Sequence, residues 1–419
     1  MTYIEFFDKI ASKNISSCLT CVPDRVIFVG DNAKQMERHV AKYRRVFSDR
    51  GHNIEFLWRT ASQSNLDHAV SVLTDLVETY DDCVFDITGG QEILMLALGV
   101  VFARFPEKNI QIHRFNMGSN TVADCDKDGN TVYREPPVLT VEENVRIFGG
   151  DILYSDVDGA ETYIWDLNPE FLRDLDLIWD VCKGNVRYWN MQIGILESAQ
   201  NIGNISADGL TTTVSMASLE HYLAQRKAKY KQAKGILSTL LKAGLITYFD
   251  DETDDRLTVS YKNKQVRKCL TKAGQALEMK IFVTAKNVRD KQGLLVYDDA
   301  LNGVLIDWDG TFHDEDAEQI YDTENEIDIL LMHKTVPVFI SCKNGVVTAD
   351  ELYKLSTVAE RFGGQQAKKV LVATSLDSMG EAGKYVRQRA VDMGIRLVEK
   401  VQKMDDEELA KKIRNLLSN

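Results

Sequence analysis

Two pairs of polar residues near the carboxyl end of the chain have the types and spacing for metal and phosphate chemistry. Glu326 and Asp328 lie at the start of one apolar run, and Ser341 and Lys343 lie at the end of the next. Since alternate residues of a strand share a face, a hairpin that turns at residues 333–335 would bring the lysine close to the carboxylates. Paired carboxylates can bind Mg²⁺ or Mn²⁺, and a neighbouring lysine can orient a water molecule beside a phosphate. An ordinary cross-strand salt bridge is the alternative interpretation.

The elements predicted around this hairpin follow the order helix, three strands, helix, strand, helix, strand, helix. Residues 277–283 have a helical pattern and 303–308 read as a strand, while a helix over 348–362 and a strand over 369–373 follow the hairpin. With Asp328 on the second strand and the lysine on the third, this arrangement resembles the PD-(D/E)XK nuclease family. The resemblance implies a restriction-endonuclease-like domain that hydrolyses phosphodiester bonds with a metal ion.

The sequence departs from the pattern of this family at one position. The family usually carries Asp or Glu two residues before the lysine, and Ser341 stands there in this chain. A serine is a weak metal ligand, so the site needs another carboxylate. Glu278, on the preceding helix, lies where the family often carries an accessory acid and is the first choice, with Glu326 and Glu351 as alternatives. The site is therefore either rearranged and active, or inactive.

The same resemblance implies a role for each candidate residue. Asp328 and Glu278 would hold the Mg²⁺ or Mn²⁺ ion, together with a backbone carbonyl near Cys342. Lys343 would align the attacking water and offset the charge that grows on the scissile phosphate. Glu326 and Ser341 complete the set of candidate catalytic residues.

A second candidate site lies in the amino-terminal part of the chain, where a buried strand that ends at Asp86 meets an apolar helix over residues 93–105. The turn between them consists of Thr88, Gly89, Gly90, Gln91 and Glu92. Glycine lets the backbone approach a ligand closely, and free N–H groups at a helix start favour anions such as phosphates. The turn is neither the glycine fingerprint of dinucleotide-binding folds nor a P-loop, and most turns of this kind are only connectors.

Strands and helices alternate regularly around this turn. Strands are predicted over residues 25–30, 52–58 and 109–115, with helices up to residue 49 and over 65–80. Such alternation predicts a parallel, Rossmann-like sheet, on which ligands bind beyond the carboxyl ends of the strands. Besides the turn at Thr88, the residues that would converge there are Gly30, Asp31, Asn32, Asn116, Met117 and Gly118.

A strand that ends in Asp-x-Thr-Gly-Gly and enters a helix is similar to the CARF domain, the sensor of cyclic oligoadenylates in type III CRISPR defence. In the middle of the chain, helices, the run Leu-Leu-Lys-Ala-Gly-Leu-Ile over residues 240–246 and two short strands resemble a winged helix. These three domains in this order form the layout of a group of CRISPR accessory nucleases. In that group, cyclic tetra-adenylate bound across a CARF dimer activates a metal-dependent endonuclease that cuts single-stranded RNA or DNA and nicks duplex DNA.

The resemblance implies an α/β fold in three parts. Residues 1–150 would form the Rossmann-like CARF sensor domain, 151–272 a linker and winged-helix-like segment, and 273–419 the PD-(D/E)XK nuclease domain. The expected partners are a second copy of the chain, a cyclic oligoadenylate and a single-stranded RNA or DNA substrate. The acidic turn over 250–255 would repel phosphate, so the winged helix is predicted to be a spacer between sensor and effector, with weak substrate guidance.

The composition, 44% hydrophobic and 27% charged over 419 residues, is that of a globular protein in water. The apolar run 93–105 is too short to cross a bilayer, which takes about 20 residues, and the start lacks the basic region of a signal peptide, so a cytoplasmic protein without membrane association is predicted. Seven scattered cysteines argue against a disulfide framework, and Cys18 and Cys21 are predicted to be structural. The net charge of −13 argues against a protein that coats duplex DNA, but not against a nuclease with a local basic groove.

One alternative function remains open, which is a ligand-controlled regulator whose winged helix binds operator DNA and whose nuclease domain is inactive. Ser341 is the residue that supports it. A Rossmann dehydrogenase is disfavoured, because the glycine fingerprint and a ribose-binding acid after the first helix are both missing. His113 is predicted to be packed in the core, and Asp309 to lie in a turn after a strand.

Overall fold

The computed structural model describes residues 1–116, 119–126, 128–154, 162–226, 228–230, 234–310 and 323–418. Its amino-terminal part is built on a seven-stranded sheet. The strands are β1 (Thr2–Phe6), β2 (Arg25–Gly30), β3 (Glu55–Thr60), β4 (Cys83–Asp86), β5 (Gln111–Asn116), β6 (Thr121–Cys125) and β7 (Thr131–Arg134). They follow the order β3-β2-β1-β4-β5-β6-β7, with the first five parallel and the last two antiparallel.

The central strand β1 was not predicted from the sequence. It lies between β2 and β4, and all five of its residues are buried. One of them is Glu5, a charged residue in the middle of a short apolar run, and this charge obscures the strand signal. The parallel α/β alternation predicted for this region is confirmed, with one more strand at its centre.

Four helices cover the two faces of this sheet. They are α1 (Ser16–Cys21), α2 (Ala33–Asp49), α3 (Leu66–Thr79) and α4 (Glu92–Arg104). Asn32 and Asn65 begin α2 and α3 by accepting hydrogen bonds from the backbone N–H groups of Gln35 and His68, both at 3.1 Å. Helices α3 and α4 share one apolar core with the sheet, while α1 and α2 belong to a second core on the opposite face.

The middle of the chain combines five helices with a small antiparallel sheet. The helices are α6 (Pro169–Gly184), α7 (Val186–Ile202), α8 (Met216–Gln225), α9 (Lys234–Lys242) and α10 (Lys264–Leu270). The strands β9 (Asn204–Ile205), β10 (Thr211–Ser215), β11 (Ile246–Asp250) and β12 (Arg256–Tyr261) follow the order β11-β12-β10-β9. Helix α7 was not predicted, although Asn185 caps it by accepting from the N–H of Tyr188 at 3.0 Å.

The carboxyl-terminal part has a six-stranded mixed sheet. Its strands are β8 (Asp151–Ile152), β13 (Asp299–Asp307), β14 (Glu324–His333), β15 (Val336–Lys343), β16 (Lys368–Ala373) and β17 (Ile395–Glu399), in the order β17-β16-β15-β14-β13-β8. The helices are α11 (Gln275–Asn287), α12 (Ala349–Gly363), α13 (Glu381–Asp392) and α14 (Asp406–Arg414). The predicted hairpin is confirmed as β14 and β15, which pair from His333 and Val336 to Ile329 and Ile340.

Helix α5 (Val141–Phe148) connects the first and third sheets. On one side Arg50, which follows α2, binds Glu143 of α5 through two hydrogen bonds of 2.6 and 2.8 Å. On the other side, the side-chain amide of Asn144 donates to the carbonyl of Phe362 in α12 at 2.7 Å. One continuous apolar core therefore contains residues of α2, α5 and α12.

In the part of the chain that the structure describes, no helix is long and apolar enough to span a membrane.

Candidate functional site

Asp328 lies where the two strands of the β14–β15 hairpin separate. The regular pairing ends at Ile329 and Ile340, one residue away. Beyond that point Oδ2 of Asp328 accepts a hydrogen bond from the backbone N–H of Cys342 at 2.6 Å and from the hydroxyl of Ser341 at 3.2 Å. The carboxylate thus replaces the backbone acceptor that a longer hairpin would have supplied. Burial raises the pKa of Asp328, although Lys343 and the Cys342 N–H act in the opposite direction.

The backbone of Cys342 faces the same gap. The carbonyl of Lys343 accepts from the N–H of Thr374 on the side of β16. Neighbouring residues of a strand direct their backbone groups to opposite sides, so the carbonyl of Cys342 lies on the side of Asp328. The Cys342 thiol is buried, and burial raises its pKa well above the ordinary value, which makes it a poor nucleophile.

Lys343 is held between two carboxylates. Its Nζ atom lies 2.8 Å from Oε2 of Glu351, a residue of the first turn of α12. Burial alone would lower the pKa of Lys343, but Asp328 and Glu351 outweigh it, so the pKa lies above the ordinary value and the ammonium stays charged. Glu351 was only an alternative metal ligand in the sequence, and here it is the ion-pair partner of the lysine.

Glu278 is buried in α11, and Lys272 is its nearest described cation. The Nζ atom of Lys272 lies 3.5 Å from Oε2 of Glu278 and 2.7 Å from Oε1 of Glu326. Burial raises the pKa of Glu278 to about 8, with Lys272 opposing the shift and Asp328 adding to it. Sequence reasoning did not assign Lys272 to this site, because it comes from the turn between α10 and α11.

These residues surround a small cleft of about 70 Å³. The polar residues that line it are Asn325, Glu326, Asp328, Ser341, Lys343, Glu351 and Lys354. The four residues predicted from the hairpin are therefore brought together, while Glu278 lies next to them and interacts through Lys272.

The available donors are carboxylate and carbonyl oxygens, which suit a hard divalent cation such as Mg²⁺ or Mn²⁺. Among the described residues, however, no three Asp, Glu, His or Cys side chains are already arranged to hold a metal ion. Lys272 lies between two of the acidic side chains instead. The donor chemistry therefore fits a metal ion, and the ammonium of Lys272 lies between two of the candidate carboxylates.

A larger open cleft of about 530 Å³ lies beyond the carboxyl ends of β2 and β3. Of the residues predicted there, Asp31 and Gln91 line it. Sequence reasoning missed Thr60, Ser62, Ser64 and His68, which also line the cleft. The polar run after β3 was the signal that could have identified them.

Other predicted residues of this cleft have structural roles. The side chain of Asn32 accepts from the Gln35 N–H to cap α2, and that of Asn116 accepts from the Ser119 N–H at 3.2 Å. A Cβ atom on Gly30 would lie 3.1 Å from Cβ of Phe7, so this glycine permits close packing. Met117 and Gly118, which were also predicted to bind the ligand, lie outside the described residues.

The Thr88 turn is fixed by the strands on either side of it. Oδ1 of Asp86 accepts from the Thr88 N–H at 2.6 Å, and Oγ1 of Thr88 accepts from the Phe115 N–H at 2.7 Å. Gly90 has a φ of +84°, and a Cβ atom there would lie 2.4 Å from Cβ of Phe6. A Cβ atom on Gly89 would likewise lie 2.7 Å from Cβ of Asp8. Both glycines are thus required for packing against the end of β1, before any ligand is considered.

Glu92 begins α4 after this turn, and the side chain of Gln91 does not cap the helix. The amino terminus of α4 therefore keeps backbone N–H groups that an anion can approach at the edge of the 530 Å³ cleft. This geometry agrees with a phosphate-bearing ligand.

A row of ionisable residues crosses the sheet beneath this turn. Glu5, Asp86, His113 and Asp124 pair across β1, β4, β5 and β6 and therefore share one face. Nδ1 of His113 lies 2.5 Å from Oδ1 of Asp124, and the histidine is fully buried, as predicted. Burial raises the pKa of Glu5 and of Asp86. Because Asp86 also orients Thr88, this row supports the turn from below.

Lysines of the middle region form ion pairs with acidic residues of the same region, including one in the acidic turn over 250–255. Nζ of Lys234, at the start of α9, lies 2.8 Å from Oδ2 of Asp251, and the hydroxyl of Tyr230 donates to the same oxygen at 3.0 Å. Nζ of Lys262 is 2.9 Å from Glu170 and from Asp174. Some of the basic character of this segment is therefore neutralised within the chain.

Two solved structures share this fold over nearly their full length. The crystal structure of protein VC1899 from Vibrio cholerae matches with a TM-score of 0.69 and 18% identity, covering 100% of this chain and 99% of that chain. The structure of Can2 from Sulfobacillus thermosulfidooxidans in complex with cyclic tetra-adenylate matches with a TM-score of 0.62 and 17% identity, covering 98% and 99%. No protein-family model and no curated protein matches the chain. At this level of identity, the likeness establishes a common fold.

Proposed function

We propose that this chain is a nuclease controlled by a cyclic oligoadenylate and acting in type III CRISPR antiviral defence. Its activator would be cyclic tetra-adenylate, and its substrate single-stranded RNA or DNA, with nicking of duplex DNA. The observation that carries the proposal is the cleft at the separated end of the β14–β15 hairpin, where Asp328 and Lys343 face each other. The fold shared with a cyclic tetra-adenylate complex supports the choice of activator.

The proposed domains follow the three sheets, except that β8, just after the first boundary, belongs to the third sheet. Residues 1–150 would be the Rossmann-like CARF sensor, 151–272 the winged-helix-like segment and 273–419 the PD-(D/E)XK nuclease. Two features support the sensor and winged-helix-like assignments. They are the parallel strand order around β1, β2 and β4, and the antiparallel sheet beside α9. We place the protein in the cytoplasm, where its ligand and substrates would be found.

In the proposed active site, the carboxylates of Asp328 and Glu278 and the carbonyl of Cys342 would hold the metal ion. A divalent ion in this place would activate a bound water and offset charge on the phosphate. The ammonium of Lys343, kept charged by Asp328 and Glu351, would align the attacking water beside the scissile phosphate. Ser341 takes the place of the usual acid, and its hydroxyl orients Asp328 by donating to Oδ2.

The proposed ligand cleft joins the nuclease site through packed helices. Helix α2 begins at Asn32 beside the cleft, and α12 begins near Glu351, the partner of Lys343. Helix α5 lies between them and contacts both through Glu143 and Asn144. A ligand can shift activity only if it binds one of two arrangements more tightly, and a rigid group of helices can couple the two sites.

A homodimer is supported by the surface of α4. Its sequence is apolar on all sides, yet Leu96 is 62% exposed, and Gly99 and Ala103 continue the exposed stripe. A helix that is apolar all round is normally buried, so a second copy of the chain would cover this face. A two-fold dimer would also suit a ring-shaped ligand with two-fold symmetry.

The test is cleavage of fluorescent single-stranded RNA and DNA with Mn²⁺, with and without cyclic tetra-adenylate, by the wild type and by Lys343→Ala. Cleavage that requires both the ligand and Lys343 supports the gated nuclease. Ligand binding without cleavage by the wild type would reject it. The second candidate, a ligand-controlled winged-helix regulator favoured by Ser341, would then require strongly salt-dependent binding to duplex DNA that Lys343→Ala leaves unchanged.

A further inference from the structure

The ammonium group of Lys272 lies among the acidic side chains of the proposed nuclease site. The Nζ atom of Lys272 bridges Oε1 of Glu326 at 2.7 Å and Oε2 of Glu278 at 3.5 Å. These two carboxylates come from different elements, strand β14 and helix α11, and Lys272 from the turn before α11. The contact is therefore made by tertiary structure, because Lys272 and Glu326 are 54 positions apart in the sequence.

The bridge differs from an ordinary surface ion pair, because one of its carboxylates is buried. The side chain of Glu278 is only 4% exposed, whereas that of Lys272 is 43% exposed and reaches inward from the surface. Burial raises the pKa of Glu278, and the ammonium of Lys272 opposes this rise and so favours the ionised carboxylate. Asp328, two residues from Glu326 on the same face of β14, also acts on Lys272 and, with Glu278 and Glu326, raises its pKa.

Lys343 holds a separate position in the same site. Its Nζ atom pairs with Glu351 at 2.8 Å, on the side of α12. The site therefore has two ammonium groups with different carboxylate partners. The oxygens of Asp328 and the carbonyl of Cys342 lie where the hairpin separates, and Lys272 instead engages Glu278 and Glu326.

We propose that Lys272 occupies a second cation position of the nuclease site, so that each chain binds a single divalent ion. This inference rests on the proposed nuclease function, because it concerns the metal site of that function. Two-metal nucleases place a second ion between bridging carboxylates. In this chain the ammonium of Lys272 bridges Glu278 and Glu326 where a second ion would lie. Because it is covalently attached to the chain, this positive charge cannot dissociate into solvent as a bound ion can.

The experiment counts Mn²⁺ ions per chain in the full-length protein, without ligand or nucleic acid. Free Mn²⁺ is measured by its electron paramagnetic resonance signal during a titration. The variants are Lys272→Met, which keeps most of the stem, and Lys272→Gln as a second replacement in case one of the two does not fold. The matched control is Lys354→Met, which removes one positive charge from the wall of the cleft that Glu326 and Asp328 line.

We expect one ion per chain in the wild type and in Lys354→Met, and two in a Lys272 variant. One ion with unchanged affinity in the Lys272 variants would overturn the inference and leave the metal site intact. A second ion in Lys354→Met as well would also overturn it, because any loss of positive charge would then suffice. Two ions in the wild type would contradict it directly, whereas no ion in the wild type would instead reject the metal site of the proposed function.

Discussion

The Oδ2 atom of Asp328 lies 2.6 Å from the backbone nitrogen of Cys342, and this contact closes the gap where strands β14 and β15 separate. One carboxylate therefore has two tasks. It accepts a hydrogen bond from the Cys342 N–H, and it lines the cleft. Substitutions at Asp328 that remove only one of these roles can separate its effect on stability from its proposed effect on metal binding.

Asp328→Asn and Asp328→Ala separate them. The asparagine can still accept from the Cys342 N–H, so its stability should stay close to that of the wild type, while Mn²⁺ binding and cleavage are lost. The alanine leaves that N–H unpaired and should cost a further 1–3 kcal/mol or so of unfolding free energy. Urea denaturation and Mn²⁺ titration measure the two effects. Equal loss of stability in both variants would contradict this division.

Ser341→Asp restores the acid that the nuclease family usually has. Ser341 is only 9% exposed and donates to Asp328, so the new carboxylate would repel its neighbour without metal and bind metal together with it. We expect a lower melting temperature without Mn²⁺ and a larger rise on adding Mn²⁺ than in the wild type. At a Mn²⁺ concentration 100 times the dissociation constant, bound metal contributes about 2.7 kcal/mol. Ser341→Ala is the control, and an equal response to Mn²⁺ in both variants would argue against a metal at this position.

We expect His39 to make the protein less stable in mild acid. Burial, assisted by Lys42 and Arg361, lowers the pKa of His39 from 6.5 to about 4. Between these values the unfolded chain takes up a proton that the folded chain does not, so the free energy of unfolding falls as the pH falls through this window. Denaturation of His39→Gln across the window should show a weaker dependence on pH. A dependence identical to that of the wild type would assign the acid sensitivity to other groups.

Asn144 connects α5 to α12, between the proposed sensor and the proposed nuclease domain. Its side chain is 2% exposed and donates to the carbonyl of Phe362 at 2.7 Å. Asn144→Ala should cost about 1–3 kcal/mol, retain binding of cyclic tetra-adenylate and reduce the ratio of cleavage with ligand to cleavage without it. Lys108→Met, which removes an exposed ion pair with Asp81 in the same part of the chain, serves as the control. An unchanged activation ratio in Asn144→Ala would mean that coupling does not pass through α5.

Leu96→Glu tests the dimer proposed for α4. A charge on this exposed stripe should prevent an apolar interface from forming, so the molecular mass in solution should fall to that of one chain of 47.4 kDa. Light scattering after size-exclusion chromatography gives this mass. Val391→Glu, at a position 70% exposed on α13, should leave the dimer intact. A Leu96→Glu protein that remains dimeric would place the interface elsewhere.

Local patterns were sufficient for the parts of the fold in which one short segment decides the structure. Two apolar runs separated by a short polar turn predicted the β14–β15 hairpin, and the two-residue period of a strand brings Asp328 and Lys343 to the same cleft. The strand, turn and helix at Thr88 were also readable, because the elements follow one another directly. The same reasoning missed β1, since a buried Glu5 interrupts its apolar run.

What the sequence by itself determined is therefore the α/β class, the hairpin and the identity of most polar residues around the proposed nuclease cleft. Only the tertiary structure decided that Lys272 stands between Glu278 and Glu326, that α5 joins the two sheets, and that Phe6 makes a glycine necessary at position 90. The physical reason is distance along the chain. Strand period and turn chemistry act between near neighbours, whereas the charge field and the close packing of a site depend on segments that meet only after folding.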